Sequence, residues 1–165
     1  APGNMRYRRG ASGSLPTLDG IPLYKPPYSR VTAYDLNAGV IAWQVPIGDG
    51  PRSHSLLKDM NLGPLGNGTR GSPLVTSTLL FVSQFMGGLG RGTALKVGDR
   101  PLSEVPPEPP KFRAFDKRTG AMVWEQELPL GPAGAPMTYM AGGRQYIVLA
   151  TGSGVRTELI AYALQ

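Results

Sequence analysis

An all-β chain of repeated antiparallel units is the fold class that the sequence predicts, and three observations predict it. The first is a repeat. Ala33-Tyr34-Asp35, Gly39 and Trp43 return as Ala114-Phe115-Asp116, Gly120 and Trp124, 81 residues later and without a gap. Self-similarity at a fixed offset marks a repeat architecture. The second is composition: 23 Gly and 17 Pro in 165 residues, with only 17% charged residues, suit short strands joined by many turns. The third is that no amphipathic run of helical length survives the prolines, each of which removes a backbone donor.

Taken in order, residues 1–30 are read as an irregular extended lead-in, because Pro16, Gly20, Pro22, Pro26 and Pro27 punctuate them, with Met5-Arg6-Tyr7 as a strand end. Residues 31–45 form a hairpin. Its outgoing strand ends at Asp35, whose carboxylate accepts backbone N–H groups of the turn, and Gly39 supplies a position with positive φ. Trp43 lies on the returning strand. A small Ala and a large Trp at fixed separation suit units stacked side by side, the indole of one filling space that a methyl leaves on its neighbour. A long connection follows from Pro46 to Arg70, in which Ser55–Leu62 is the one comfortable place for a short helical turn.

Gly71-Ser72-Pro73 opens a strand pair, Leu74–Thr76 and Leu79–Ser83, with Ser77-Thr78 as the tight turn. Residues 86–111 are glycine-rich, then proline-rich, too long for a hairpin loop and unsuited to a strand, so they are read as an excursion over the surface or as partly disordered. The second hairpin spans 112–128. Gly134-Ala135-Pro136-Met137 then mirrors Gly71-Ser72-Pro73-Leu74, Gln145–Ala150 mirrors Leu79–Ser83, and Leu159–Tyr162 mirrors the strand before Asp35.

Counted in units of four strands, the chain holds a partial unit at 31–45, a complete one at 71–128 and three strands of another at 134–163. Such units at about 40 to 50 residues are the signature of propeller blades. Two blades and a fraction do not close a ring. A last blade short of its fourth strand is what a closed ring shows when a distant N-terminus supplies the missing one. The start at Ala1-Pro2-Gly3 lacks a Met, so the sequence is read as the C-terminal part of a larger protein.

The net charge is +6, which raises nucleic acid as a partner. Apart from Arg6, Arg8 and Arg9 the basic residues are scattered, and aromatics do not interleave with them, so solvated surface charge is expected and no nucleic acid. Cys is absent, which removes disulfides and thiolate metal sites, and no apolar run reaches transmembrane length.

The repeat is similar to the tryptophan-docking motif A-x-D-x-x-T-G-x-x-x-W of the pyrroloquinoline quinone (PQQ) dependent dehydrogenases, the quinoprotein glucose and alcohol dehydrogenases. Ala33, Asp35, Gly39 and Trp43 match it, as do Ala114, Asp116, Thr119, Gly120 and Trp124, while Ala38 departs from the Thr. Lys25-Pro26-Pro27-Tyr28, Ile41–Pro46, Phe112–Asp116, Pro136–Tyr139, Gln145–Val148 and Ile160–Leu164 resemble the C-terminal end of the glucose dehydrogenase branch, covering nearly the whole chain from Lys25. The resemblance implies a partial β-propeller, two to two-and-a-half four-stranded antiparallel blades of an eight-bladed ring. It also implies a periplasmic setting, a sugar or alcohol substrate, PQQ as cofactor and Ca²⁺ as Lewis acid.

No catalytic residue and no metal ligand is assigned here, because the family's base and metal ligands lie in earlier blades; the fragment is expected to be inactive alone and need hold neither PQQ nor Ca²⁺. Asp35 and Asp116 are read as turn residues. Asp19, Asp49, Asp59 and Asp99 have no partner carboxylate at a telling spacing, and His54, the one histidine, is read as a surface or loop-ordering residue. The cofactor-facing candidates are the two strand openings: Arg70, Gly71 and Ser72, and Gly134 with Ala135. Glycine there permits close backbone approach, and Arg70 suits a PQQ carboxylate. The competing roles are a non-enzymatic propeller scaffold for protein partners, and a module that self-associates through open strand edges. In the dehydrogenase reading the partners are the remaining blades.

Overall fold

The computed structural model describes residues 17–18, 21–68, 71–84, 96–97, 100–101 and 108–163. The strands are β1 (Thr17–Leu18), β2 (Ile21–Pro22), β3 (Arg30–Asp35), β4 (Val40–Pro46), β5 (Gly71–Val75), β6 (Leu79–Gln84) and β7 (Lys96–Val97), then β8 (Arg100–Pro101), β9 (Lys111–Asp116), β10 (Met122–Glu127), β11 (Met137–Ala141), β12 (Arg144–Ser153) and β13 (Arg156–Ala163). One 3₁₀ turn at Pro51–Ser53 is the helix among the described residues. The fold is all-β, as the prolines and the repeat require, and no helix among these residues is long and apolar enough to cross a membrane.

Three antiparallel sheets carry the architecture: the hairpin β3-β4, a four-stranded sheet in the order β5-β6-β9-β10, and a three-stranded sheet β11-β12-β13. They are consistent with consecutive pieces of a propeller. Two-residue ladders β1-β2 and β7-β8 lie within the stretches expected to be irregular. The helical turn foreseen at 55–62 is displaced: Pro51 begins a 3₁₀ turn, hydrogen-bonded turns continue to Met60, and Asn61 with φ 47° closes them. A proline at the start supplies the helical φ and lacks only an N–H that has no partner there.

The middle sheet is a wall with two apolar faces, as strand alternation dictates. Leu80, Val82 and Phe115 pack with Ile47, Val31, Trp43 and Val45 of the first hairpin and its exit. Phe81, Phe112 and Ala114 pack with Ile147, Leu149, Ile160 and Tyr162 of the last sheet. Phe112, Trp124 and Tyr162 meet edge-on or tilted, with centroids 5.4–5.9 Å apart. Burial pushes the Tyr162 phenol up.

The docking motif corrects one expectation. The methyl that makes room for the indole is not on the neighbouring sheet: Ala33 is the cross-strand partner of Trp43, and Ala114 that of Trp124. A register shift leaves Ala42 and Val123 bulged at the same place in both repeats. The bulge re-aims the returning strand so that Trp and Ala share a face. The neighbour instead offers Gly120, where a Cβ would lie 2.7 Å from Trp43 Cδ2, and the Lys117 carbonyl, which accepts Trp43 Nε1–H at 3.0 Å.

Candidate cofactor-facing end

The longer connections gather at one end of the sheets, which also holds the two-residue turn 154–155 between β12 and β13. At the opposite end, 36–39, 76–78, 117–121 and 142–143 are tight turns. At the first lie the long connections that follow β4, β6 and β10, together with the entries into β5 and β11. Functional groups concentrate where loops are long and a rigid scaffold positions them.

At this end Gly71 begins β5, the edge strand of the four-stranded sheet, and Ser72 follows it, half-buried, its carbonyl accepting from Ser83 Oγ at 3.4 Å. A Cβ on Gly71 would lie 2.8 Å from Val82 Cγ1 and 3.1 Å from the Ser83 carbonyl, so packing on β6 already demands glycine there. Gly134 differs. It precedes β11, the edge strand of the last sheet, beside the exposed Ala135, and a Cβ on it would meet nothing within 4 Å. The structure brings both openings to one end, each leading an edge strand, and among the described residues no hydrogen bond joins them. Arg70 lies outside the described residues, as do Asp19 and Asp99.

The two motif aspartates serve the turns. Asp35 Oδ1 accepts from the backbone of Asn37 at 2.9 Å and Ala38 at 3.1 Å. Asp116 Oδ1 accepts from the Arg118 and Thr119 backbone at 3.0 and 2.8 Å, and from Thr119 Oγ1 at 2.9 Å. The Thr119 hydroxyl, then the Thr119 and Arg118 amides and the Arg118 charge, hold the Asp116 carboxyl below its usual range. Such a carboxylate is a poor base, because its lone pairs are engaged.

His54 is buried, at 4% exposure, and its Nδ1 accepts the Leu56 N–H at 3.1 Å, while its carbonyl accepts from Leu57 and Lys58. It orders the loop and is not a surface residue. Asp49 pairs with Arg52 at 2.6 Å. No three of His, Asp and Glu converge among the described residues.

A polar cluster that sequence reasoning missed lies at the same end. Arg113, with a side chain 5% exposed, donates through Nη2 to Glu108 Oε1 at 2.9 Å and through Nε to Glu125 Oε2 at 2.5 Å. Lys111 Nζ reaches Glu125 Oε1 at 2.7 Å. Burial raises the Glu125 carboxyl, but the hydrogen bonds and charges of Lys111 and Arg113 prevail and hold it below its ordinary value. Alternation of charge across β9 and β10 was the available signal: Glu125 is the cross-strand partner of Arg113.

Comparison with known proteins agrees with the sheets and the motif. The family model described as glucose/ethanol/alcohol dehydrogenase, beta-propeller domain, a PQQ model, matches residues 4–147. The chain is 34% identical over 154 residues to the quinate/shikimate dehydrogenase (quinone) of Acinetobacter baylyi, covering 88% of this chain and 16% of that protein. It is 30% identical over 156 residues to the glycerol dehydrogenase large subunit of Gluconobacter thailandicus, covering 88% of this chain and 18% of the relative. With the quinoprotein glucose dehydrogenase of Gluconobacter oxydans the identity is 29% over 159 residues, 91% of this chain and 17% of the relative. The chain belongs to the PQQ-dependent dehydrogenase β-propeller family. It spans about a sixth of the length of these curated relatives.

Proposed function

We propose that this chain forms C-terminal blades of a periplasmic PQQ-dependent dehydrogenase that oxidises a sugar or other polyhydroxylated alcohol. The relatives named for quinate/shikimate, glycerol and glucose share one chemical element, an oxidisable carbon bearing a hydroxyl. PQQ, when bound, supplies the two-electron oxidant, with Ca²⁺ polarising it from ligands in other blades. This chain's part is to shape and line the cofactor end through Arg70, Gly71, Ser72, Gly134 and Ala135, with the base and metal ligands elsewhere. The observation that carries the reading is Gly134: a glycine at the long-loop end, ahead of an edge strand, with open space where its side chain would be.

The test uses that space. In the full-length protein Gly134→Val leaves thermal stability unchanged and weakens PQQ binding about tenfold, the scale of a modest steric clash. Unchanged PQQ affinity removes Gly134 from the cofactor site. Full-length protein that binds no PQQ at all favours a scaffold for protein partners instead. Isolated 165-residue chain given PQQ and Ca²⁺ shows no sugar-dependent dye reduction; turnover by it would refute the placement of the base elsewhere.

A further inference from the structure

Upstream of β5, residues 65–67 are held by a narrow backbone ladder. Leu65, Gly66 and Asn67 donate to the carbonyls of Asp49, Gly48 and Ile47 at 3.0, 2.9 and 2.9 Å. This pairing ties the exit from β4 to residues just upstream of Gly71. Ile47 packs it on Leu80, Val82 and Phe115 of the four-stranded sheet, and one carboxylate adds the polar fastening. Glu108 Oε2 accepts the Asp49 N–H at 3.0 Å, while its Oε1 holds Arg113 Nη2 at 2.9 Å. Arg113 is fixed in turn by Glu125, so the latch rests on a rigid strand pair. The Glu108 side chain is only 14% exposed. It lies so close over Gly48 that a Cβ there would sit 2.5 Å from Glu108 Oε2. A charge-assisted bond to a backbone amide is among the stronger single contacts available to a loop.

We propose that Glu108 is a positioning residue for the cofactor-facing end: it clamps the ladder of 47–49 with 65–67 and thereby fixes where the chain enters at Gly71 and Ser72. The proposal rests on the reading of those two residues as lining the PQQ site. The experiment uses the full-length protein with Glu108→Ala and Glu108→Gln. It follows hydrogen–deuterium exchange of peptides covering 46–50 and 65–68, and titrates the apoprotein with PQQ.

In Glu108→Ala, exchange at those peptides rises roughly tenfold and PQQ binds roughly tenfold more weakly, while strands β9 and β10 stay protected. Glu108→Gln keeps one acceptor oxygen and restores part of both effects. Unchanged exchange in Glu108→Ala overturns the latch. Lost protection with intact PQQ affinity overturns the positioning role. Wild-type protein that binds no PQQ sinks the cofactor reading, and the proposal falls with it; that outcome is recognised by a flat titration in every variant rather than a selective loss.

Discussion

Gly39 and Gly120 occupy one motif position, with φ of 69° and 75°, yet they meet different surroundings. Nothing lies within 4 Å of a Cβ on Gly39, whereas one on Gly120 would press into the Trp43 ring. Gly39→Ala therefore costs only left-handed backbone strain, about 1–2 kcal/mol. Gly120→Ala adds overpacking of about 1–3 kcal/mol. Denaturant melts of the two variants should separate by that second amount, and equal losses would refute the indole contact. The neighbouring position carries a similar contrast. Thr119 Oγ1 donates to Asp116 at 2.9 Å and accepts the Ala121 N–H at 3.3 Å, and Ala38 has neither bond. Thr119→Ala should cost about 1 kcal/mol, and Ala38→Thr should gain up to a similar amount, both by thermal unfolding.

At the scale of elements, the sheets are joined by apolar faces in the middle and by polar groups at the ends. Trp43 reaches across from β4 to the turn after β9, and Glu108 reaches back from the approach to β9 to the exit of β4. The Lys111, Arg113 and Glu125 cluster should make the middle sheet acid-sensitive. Glu125 is held below its ordinary 4.5 in the folded chain, so its stabilisation is complete above that value and is lost as pH falls toward the lower folded one. Asp116 is depressed in the same direction. Melting temperature should fall as pH drops through and below the ordinary carboxylate range, and the fall should be shallower in Glu125→Gln. An identical acid profile in that variant would show that the pair is not a source of the dependence.

For the whole molecule, the two apolar faces of the middle sheet are both covered, and the outer sheets each cover one. The far face of the last sheet presents Met137, Tyr139 and Leu159, 53%, 45% and 70% exposed, and Tyr139 stacks on Tyr146 at 5.2 Å. The strands β3 and β13 also leave an edge without a partner among the described residues. Contiguous apolar surface and open edges are characteristic of an interaction face. The 165-residue chain alone should therefore bind a hydrophobic dye and associate in light scattering as its concentration rises, and a dispersed, dye-free monomer would contradict this.

The sequence by itself determined the strands of the three main sheets, their tight turns and the family. Prolines excluded helices, and Asp and Gly at fixed offsets set two hairpin turns whose hydrogen bonds are local, within four residues along the chain. What it left open is everything carried by contacts distant in sequence. The bulges at Ala42 and Val123 appear only when two strands are in register, and the seat of Trp43 on Gly120 only when two sheets are stacked. His54 reads as a lone polar residue until burial and the Leu56 amide give it a role, and the close approach of Gly71 to Val82 shows only once β5 and β6 are paired. Glu108 sits in a proline-rich stretch with no motif, and only tertiary structure placed it between Asp49 and Arg113, because electrostatic pairing across 59 residues leaves no periodic trace in a sequence.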